Sequence, residues 1–337
     1  MLRARPVAFL LDLARSALRV WWVLLKLMVP IMVAVKLASD FGAIPYIAAV
    51  FEPFMSLVGL PPELGIVWAT ACLATIYGAV AILPTILAPE QLTIAQMTVL
   101  GTMMLVAHSL PLEGRVCQRT GTSFVVQTLL RLAGALVFGA VLAAVYNGFG
   151  LLQEPAQMSW LPQMTTDAGW LAWAISAAEG LLAILAIIFV IMLGMRLLDA
   201  IGATRLLTRA LEPLLRLMGM GPQAVPLTVI GVLLGLSYGS GLIIREVDRG
   251  TLPRRDVFLS ISFMALCHSL IEDSIIIIAM GGHWSGVVLG RLVLTLVVMV
   301  VLARIVHALP ERLFERLLMN RLGRPAPAAA AAPAGSP

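Results

Sequence analysis

Charge is what this chain of 337 residues has least of: Asp, Glu, Lys and Arg make up 12% of it, about half the share of an ordinary soluble domain. Cysteine is scarce as well. There are three, an odd number, lying in or beside apolar segments, which argues against a disulfide framework and for reduced, structural thiols. The net charge of +5 comes without any basic–aromatic patch, so nucleic acid is not an expected partner. No Walker motif, Gly-rich nucleotide loop or catalytic triad occurs in the sequence, so neither an ATPase or GTPase engine nor an enzyme is expected.

What the chain has instead is apolar length. Hydrophobic residues reach 60%, in several runs near the ~20 residues that a spanning helix needs. A polytopic, all-α integral membrane protein is expected, with the lipid bilayer as its first partner. The amino-terminal stretch is not a clean signal peptide. Its apolar run Val7–Leu11 is short, and Asp12, Arg15 and Arg19 interrupt the residues after it, so residues 1–17 read as an amphipathic interfacial segment leading into the first span.

The chain repeats itself. Glu52-Pro53 and Glu212-Pro213 stand 160 residues apart (212 minus 52). The same offset pairs Gly42-Ala43 with Gly202-Ala203, Gly59 with Gly219, Pro62 with Pro222, and His108-Ser109-Leu110 with His268-Ser269-Leu270. It also pairs Glu113 with Asp273, Gly121 with Gly281 and Arg131 with Arg291, while Tyr77-Gly78 meets Tyr238-Gly239 after a one-residue slip. Two copies are therefore expected, residues 18–146 and 173–308, joined by a polar linker at 147–172. A basic amphipathic interfacial helix at 309–323 and a disordered Ala/Pro tail at 324–337 complete the chain.

Each copy reads as a first spanning helix (about Leu18–Ala38, or Trp173–Leu198) and a shorter amphipathic helix (Ile44–Val58, or Thr204–Met218). A segment broken by Gly and Pro comes next (Gly65–Leu87, or Ala224–Ile244), then a third apolar segment (Ile94–Leu112, or Val257–Ile271) and a fourth (Phe124–Tyr146, or Val287–Val306). Arginines flank the first span and succeed the last one, whereas the linker has Glu154 and Asp167 and no Lys or Arg. The positive-inside rule then puts both termini in the cytoplasm and the linker outside. An odd number of crossings per copy satisfies this if each broken segment is a re-entrant hairpin, which needs helix breakers and buried irregular backbone. The expected fold is thus two inverted-topology repeats, the plan of many secondary transporters with sites at mid-membrane. Lys36 and Arg291 fall on the outer side in this scheme and read as buried partners of acidic groups.

Polar groups at membrane depth are costly and mark function by default. In the broken segments these are Tyr77 and Gly78, and Ser237, Tyr238, Gly239, Ser240 and Gly241; there glycine lets a ligand approach the backbone, and the competing reading is close helix packing. In the third segments they are His108, Ser109 and Glu113, and His268, Ser269, Glu272 and Asp273. On a continuous helix His268 and Glu272, four apart, share a face. A His–carboxylate pair there serves as proton relay or polar solute contact, or only fixes the fold; both readings stay open. Cys267, His268, Glu272 and Asp273 also form a weaker metal-ligand set.

The run Gly235–Leu242 together with Cys267-His268-Ser269-Leu270-Ile271-Glu272-Asp273 resembles the nucleoside recognition, or Gate, domain. That domain occurs in spore maturation proteins, in the membrane part of ferrous iron transporters and in relatives of concentrative nucleoside transporters. The resemblance covers about Leu185–Ile305 and, more weakly, Leu25–Val145. It implies a bacterial inner-membrane protein with paired gate units and a transport-like role, without fixing a cargo. The GTPase domain of the iron transporters has no counterpart in this sequence. The leading expectation is a secondary transporter for a small polar solute, nucleoside-like among others, needing no cofactor beyond a coupling proton or sodium ion. A divalent-metal permease and a non-transporting membrane scaffold are the alternatives, and a homo-oligomer is compatible with each.

Overall fold

Gly and Pro punctuation sorts the apolar runs into long helices and short ones. In the computed structural model, which describes residues 6–87, 91–157, 169–200 and 202–320, every named element is helical. The opening elements are α1 (Pro6–Asp40), α2 (Ile44–Leu57), α3 (Leu64–Leu73), α4 (Ile76–Ile86), α5 (Ile94–Val106), α6 (Leu110–Arg119) and α7 (Phe124–Gly148). After the linker come α8 (Trp170–Ala200), α9 (Ala203–Leu217), α10 (Ala224–Leu234), α11 (Leu236–Asp248), α12 (Arg254–Leu266) and α13 (Glu272–Ala279). A π-helical stretch, Ser285–Gly290, runs into α14 (Arg291–Ala308), and α15 (Glu311–Leu318) is the last element. The expected tail, Arg324–Pro337, and linker residues 158–168 lie outside the described residues.

Five stretches are long and apolar enough to cross a bilayer: Phe9–Asp40, Ile94–Arg119 with its bend, Phe124–Gly148, Trp170–Leu198 and Ser285–Ala308. The chain is a multi-pass, all-α membrane protein. α1 runs unbroken from Pro6 into the first span, and no Gly or Pro falls between Val7 and Val29 to end it. By contrast α3 and α4, with 10 and 11 residues, are only about 15 Å long each, half a hydrocarbon core.

The chain forms two compact units. The first is Met1–Leu110, Leu132–Arg205 and Leu270–Leu292; the second is Pro111–Arg131, Leu206–Ser269 and Val293–Pro337. The first unit therefore takes α8 and residues 270–292 from the second half of the sequence, the second takes residues 111–131 from the first half, and two of the boundaries fall next to the His-Ser-Leu motifs.

In the first unit α1 packs on α4 and α8, and α5 packs on α3 and α13. The Trp21 indole N–H donates to the Leu181 carbonyl (2.8 Å), tying α1 to α8. α5 is buried along nearly its whole length, whereas α1 and α8 expose large apolar side chains such as Trp22, Val23, Leu182 and Val190. A buried central helix behind greasy outer ones is what a bilayer as solvent selects. In the second unit α10 packs on α11 and α12, and α12 is buried from Asp256 to Leu266.

Left-handed backbone recurs at the spacing seen in the sequence. Gly42 and Gly202, Gly59 and Gly219, Ser109 and Ser269, and Gly121 and Gly281 all have positive φ, each pair 160 residues apart.

Candidate functional site

The broken segments do break, and the residues at the break are specific. Between α3 and α4 the chain turns at Ala74–Thr75, where the Thr75 hydroxyl accepts from the Gly78 N–H (3.1 Å) and caps α4. Between α10 and α11 the turn is Gly235, with φ +96°. A side chain there would be strained, and its Cβ would stand 3.0 Å from the Ser269 hydroxyl. The expected tips are thereby shifted. Tyr77 and Gly78 lie in the first turn of α4, and Ser237, Tyr238, Gly239, Ser240 and Gly241 lie within α11. The glycines do not break that helix, since nothing stands within 4 Å of a Cβ at Gly241 and helical φ suits it. Ser240 is buried; the side chains of Ser237, Tyr238 and Gly239 lie outside the described residues.

The third segments were expected to be continuous helices through Leu112 and Ile271. They are not. α5 ends at Val106 and α12 at Leu266, and Ser109 (φ 47°) and Ser269 (φ 46°) turn the chain out of the helix. His268 and Glu272 therefore do not share a helical face. In the first unit Ser109 fastens this second break to the first: its N–H donates to the Ala71 carbonyl (2.9 Å) and its hydroxyl to the Ala74 carbonyl (2.7 Å). In the second unit Ser269 lies against Gly235. Each unit thus sets one helix break against another.

At each break a histidine meets a carboxylate supplied by the other half of the sequence. In the second unit His268 Nε2 lies 3.3 Å from Glu113 Oε1, and Glu113 is also paired with Arg131. His268 and Arg131 are 2% exposed and Glu113 8%. In the first unit His108 Nε2 lies 3.9 Å from Asp273 Oδ2. Both rings are oriented alike, Nδ1 facing the carbonyl four residues back: Met104 at 3.0 Å and Met264 at 2.8 Å. A carbonyl only accepts, so Nδ1 carries hydrogen in both. Nε2 of His268 and the Glu113 oxygen are then both acceptors unless one proton sits between them, on the ring or on the carboxyl group.

Glu272 opens α13 beside Asp273, and both carboxylates act electrostatically on Tyr77, Asp273 more strongly. The first unit so holds Tyr77, Gly78, His108, Ser109, Glu272 and Asp273, and the second holds Glu113, His268, Ser269 and α11. Of the weaker metal set, Cys267 and His268 belong to the second unit and Glu272 and Asp273 to the first.

Three participants were not named as site residues from sequence. Thr75 gives no signal beyond a capping residue two positions before Tyr77. Arg131 was detectable as a basic residue recurring inside an apolar span. Gln127, 1% exposed, donates to the Ser262 hydroxyl at 2.9 Å one helical turn before Arg131; its polarity inside an apolar helix was the available signal. Lys36, expected to partner an acid, bonds Asp40 (2.6 Å).

No solved structure matches the chain. The uncharacterized membrane protein YvoD of Bacillus subtilis (strain 168) is 27% identical over 282 residues, which is 81% of this chain and 86% of that protein. Residues 181–284, from α8 through the breaks at Gly235 and Ser269 to Trp284, match the family model described as Gate, nucleoside recognition.

Proposed function

We propose that the protein is a secondary transporter for a small polar solute, built from two inverted repeats of residues 18–146 and 173–308. The observation that carries this reading is the doubled pairing of a broken apolar helix with a buried His–carboxylate pair, His268 with Glu113 and His108 with Asp273. Ionisable groups are retained at such depth when they meet a solute or an ion. α3–α4 and α10–α11 act as re-entrant hairpins, a role their half-span lengths suit. The recurrence of left-handed backbone at one offset supports the duplication. The excess of arginine near the start of α1 and beyond α14 supports cytoplasmic termini in the inner membrane.

Each unit then provides a half-site. The helix starts of α4 and α11 and the hydroxyls of Tyr77, Ser109, Ser240 and Ser269 bind the solute. The His268–Glu113 pair takes up and releases the coupling proton through Nε2; sodium is the competing coupling ion. The description of the matched family makes nucleosides the first solutes to try.

Purified protein screened for thermal stabilisation by nucleosides, organic ions and divalent metals identifies the ligand class. Uptake of the hit into proteoliposomes is expected to fall at least tenfold in His268→Ala and to lose its dependence on a proton gradient in Glu113→Gln. Unchanged uptake in both removes the pair from the mechanism. Stabilisation by divalent metal alone, abolished in Cys267→Ala, replaces the reading with a metal permease. No stabilisation by any solute, together with a protein partner that co-purifies stoichiometrically, replaces it with a scaffold.

A further inference from the structure

The basic helix after α14 does more than lie on a surface. Arg255 gathers the end of α14 and the start of α15: its guanidinium donates to the carbonyls of Val306 (2.6 Å), His307 (3.1 Å) and Leu309 (2.7 Å) and to Glu311 (2.9 Å). It also covers the Phe314 ring, centroid 5.2 Å away, and Phe314 is fully buried. Arg254 pairs with Glu315 at 3.0 Å. Beyond α15 the chain forms main-chain bonds with the α6–α7 turn, Ser123 N–H to the Leu318 carbonyl (2.9 Å) and Asn320 N–H to the Gly121 carbonyl (2.8 Å). The helix is held at both ends.

Beside it lies a cavity of about 420 Å³ lined by Arg254, Glu311, Arg312, Glu315, Arg316 and Asn320, among others. The two glutamates are already committed to Arg255 and Arg254. Among the described residues no carboxylate pairs with Arg312 or Arg316, which are exposed. The cavity therefore carries two uncompensated guanidinium groups, four residues apart on one face of α15. At ~100° per residue the next face around carries Leu313 and Leu317, 41% and 51% exposed. A planar anion recogniser bordering an exposed apolar ridge complements one molecule in particular: a phosphodiester with acyl chains beneath it.

We propose that this cavity is a binding site for the headgroup phosphate of an anionic phospholipid, with Arg312 and Arg316 as the phosphate ligands and Leu313 and Leu317 against the acyl chains. The proposal is independent of any transport role. Because α15 is tied to α12, α14 and the α6–α7 turn, the bound lipid steadies the second unit at its basic end.

The test uses full-length protein in a neutral detergent, titrated with phosphatidylglycerol or cardiolipin, with phosphatidylcholine, or with inorganic phosphate at matched concentration. Anionic lipid is expected to raise the unfolding midpoint by a few degrees and to remain bound in native mass spectrometry, and phosphatidylcholine to do neither. The double variant Arg312→Gln/Arg316→Gln, altered only at exposed positions, is expected to keep the lipid-free midpoint and lose the rise. An equal rise with inorganic phosphate alone makes the site a free-anion site and overturns the lipid assignment. An equal rise in wild type and variant overturns the site itself.

Discussion

In the second unit Glu113 is gripped from two sides, by Arg131 and by His268. In the first unit Asp273, one methylene shorter, stops 3.9 Å from His108. The histidines are anchored alike, so the difference lies with the carboxylates. A clasped ion triad resists change, because removing one member leaves another buried and charged. A pair held apart leaves more room for a polar group of a solute. Both units set a histidine against a carboxylate, but one contact is short and the other long.

Four sets of substitutions test that contrast, from the largest effect to the smallest. Glu113→Ala should destabilise by about 3–5 kcal/mol, since it removes the carboxylate facing buried Arg131 and His268, whereas Asp273→Ala, which breaks only the longer contact to His108, should cost less, about 1–2 kcal/mol. Unfolding in detergent measures both; equal losses would erase the distinction between the short contact and the long one. Next is Gly101, where a Cβ would fall on the Ile277 side chain. Gly101→Val should cost about 1–3 kcal/mol by overpacking α5 against α13 and should impair function through the His108–Asp273 pair. The residues 160 positions away, Ile261 and Cys117, are both buried, with large and small exchanged, so Ile261→Val there should cost about 1 kcal/mol.

Third, Gly235→Ala should cost about 1–2 kcal/mol, from its left-handed backbone and the Ser269 contact. Gly78→Ala should be neutral or stabilising by up to about 1 kcal/mol, because the nearest atom to its Cβ is 3.6 Å away and alanine favours the helix. If Gly78→Ala nonetheless abolishes uptake, a solute must use that space. The smallest effect concerns Asp256, just ahead of the apolar run of α12. Burial pushes its carboxyl group above the usual range, partly offset by the Gly221 N–H at 3.0 Å and by His307. A folded value above the unfolded one means the native state holds more protons, so this contribution falls as pH rises through the carboxylate range. Asp256→Asn imitates the amide of Gln96, its counterpart 160 residues earlier. It should flatten the slope of stability between about pH 4 and 7 and shift neutral-pH stability by less than about 1 kcal/mol.

Much of this was legible in the sequence, for identifiable reasons. Spanning helices are dictated by apolar length, and α2, α9 and the two pairs of half-length helices fall within a few residues of where periodicity and Gly/Pro breaks put them. The breaks after Val106 and Leu266 were not legible, because they rest on left-handed serines, a conformation serine does not favour. Once the helix breaks, the i, i+4 pairing of His268 with Glu272 disappears. The partner that replaces it, Glu113, lies 155 residues away along the chain (268 minus 113), and no local pattern announces a pairing across halves.

The exchange of segments between the two units constrains what a fragment of this protein can be. Cut in the linker, the front piece keeps α6 but not the α12 it serves, and the rear piece keeps α13 but not α5. Neither piece can finish its own centre, so the two are hostages to each other. Co-expressed half-chains should be recovered together or not at all, and a lone half would have to find a twin to lend it the missing helix.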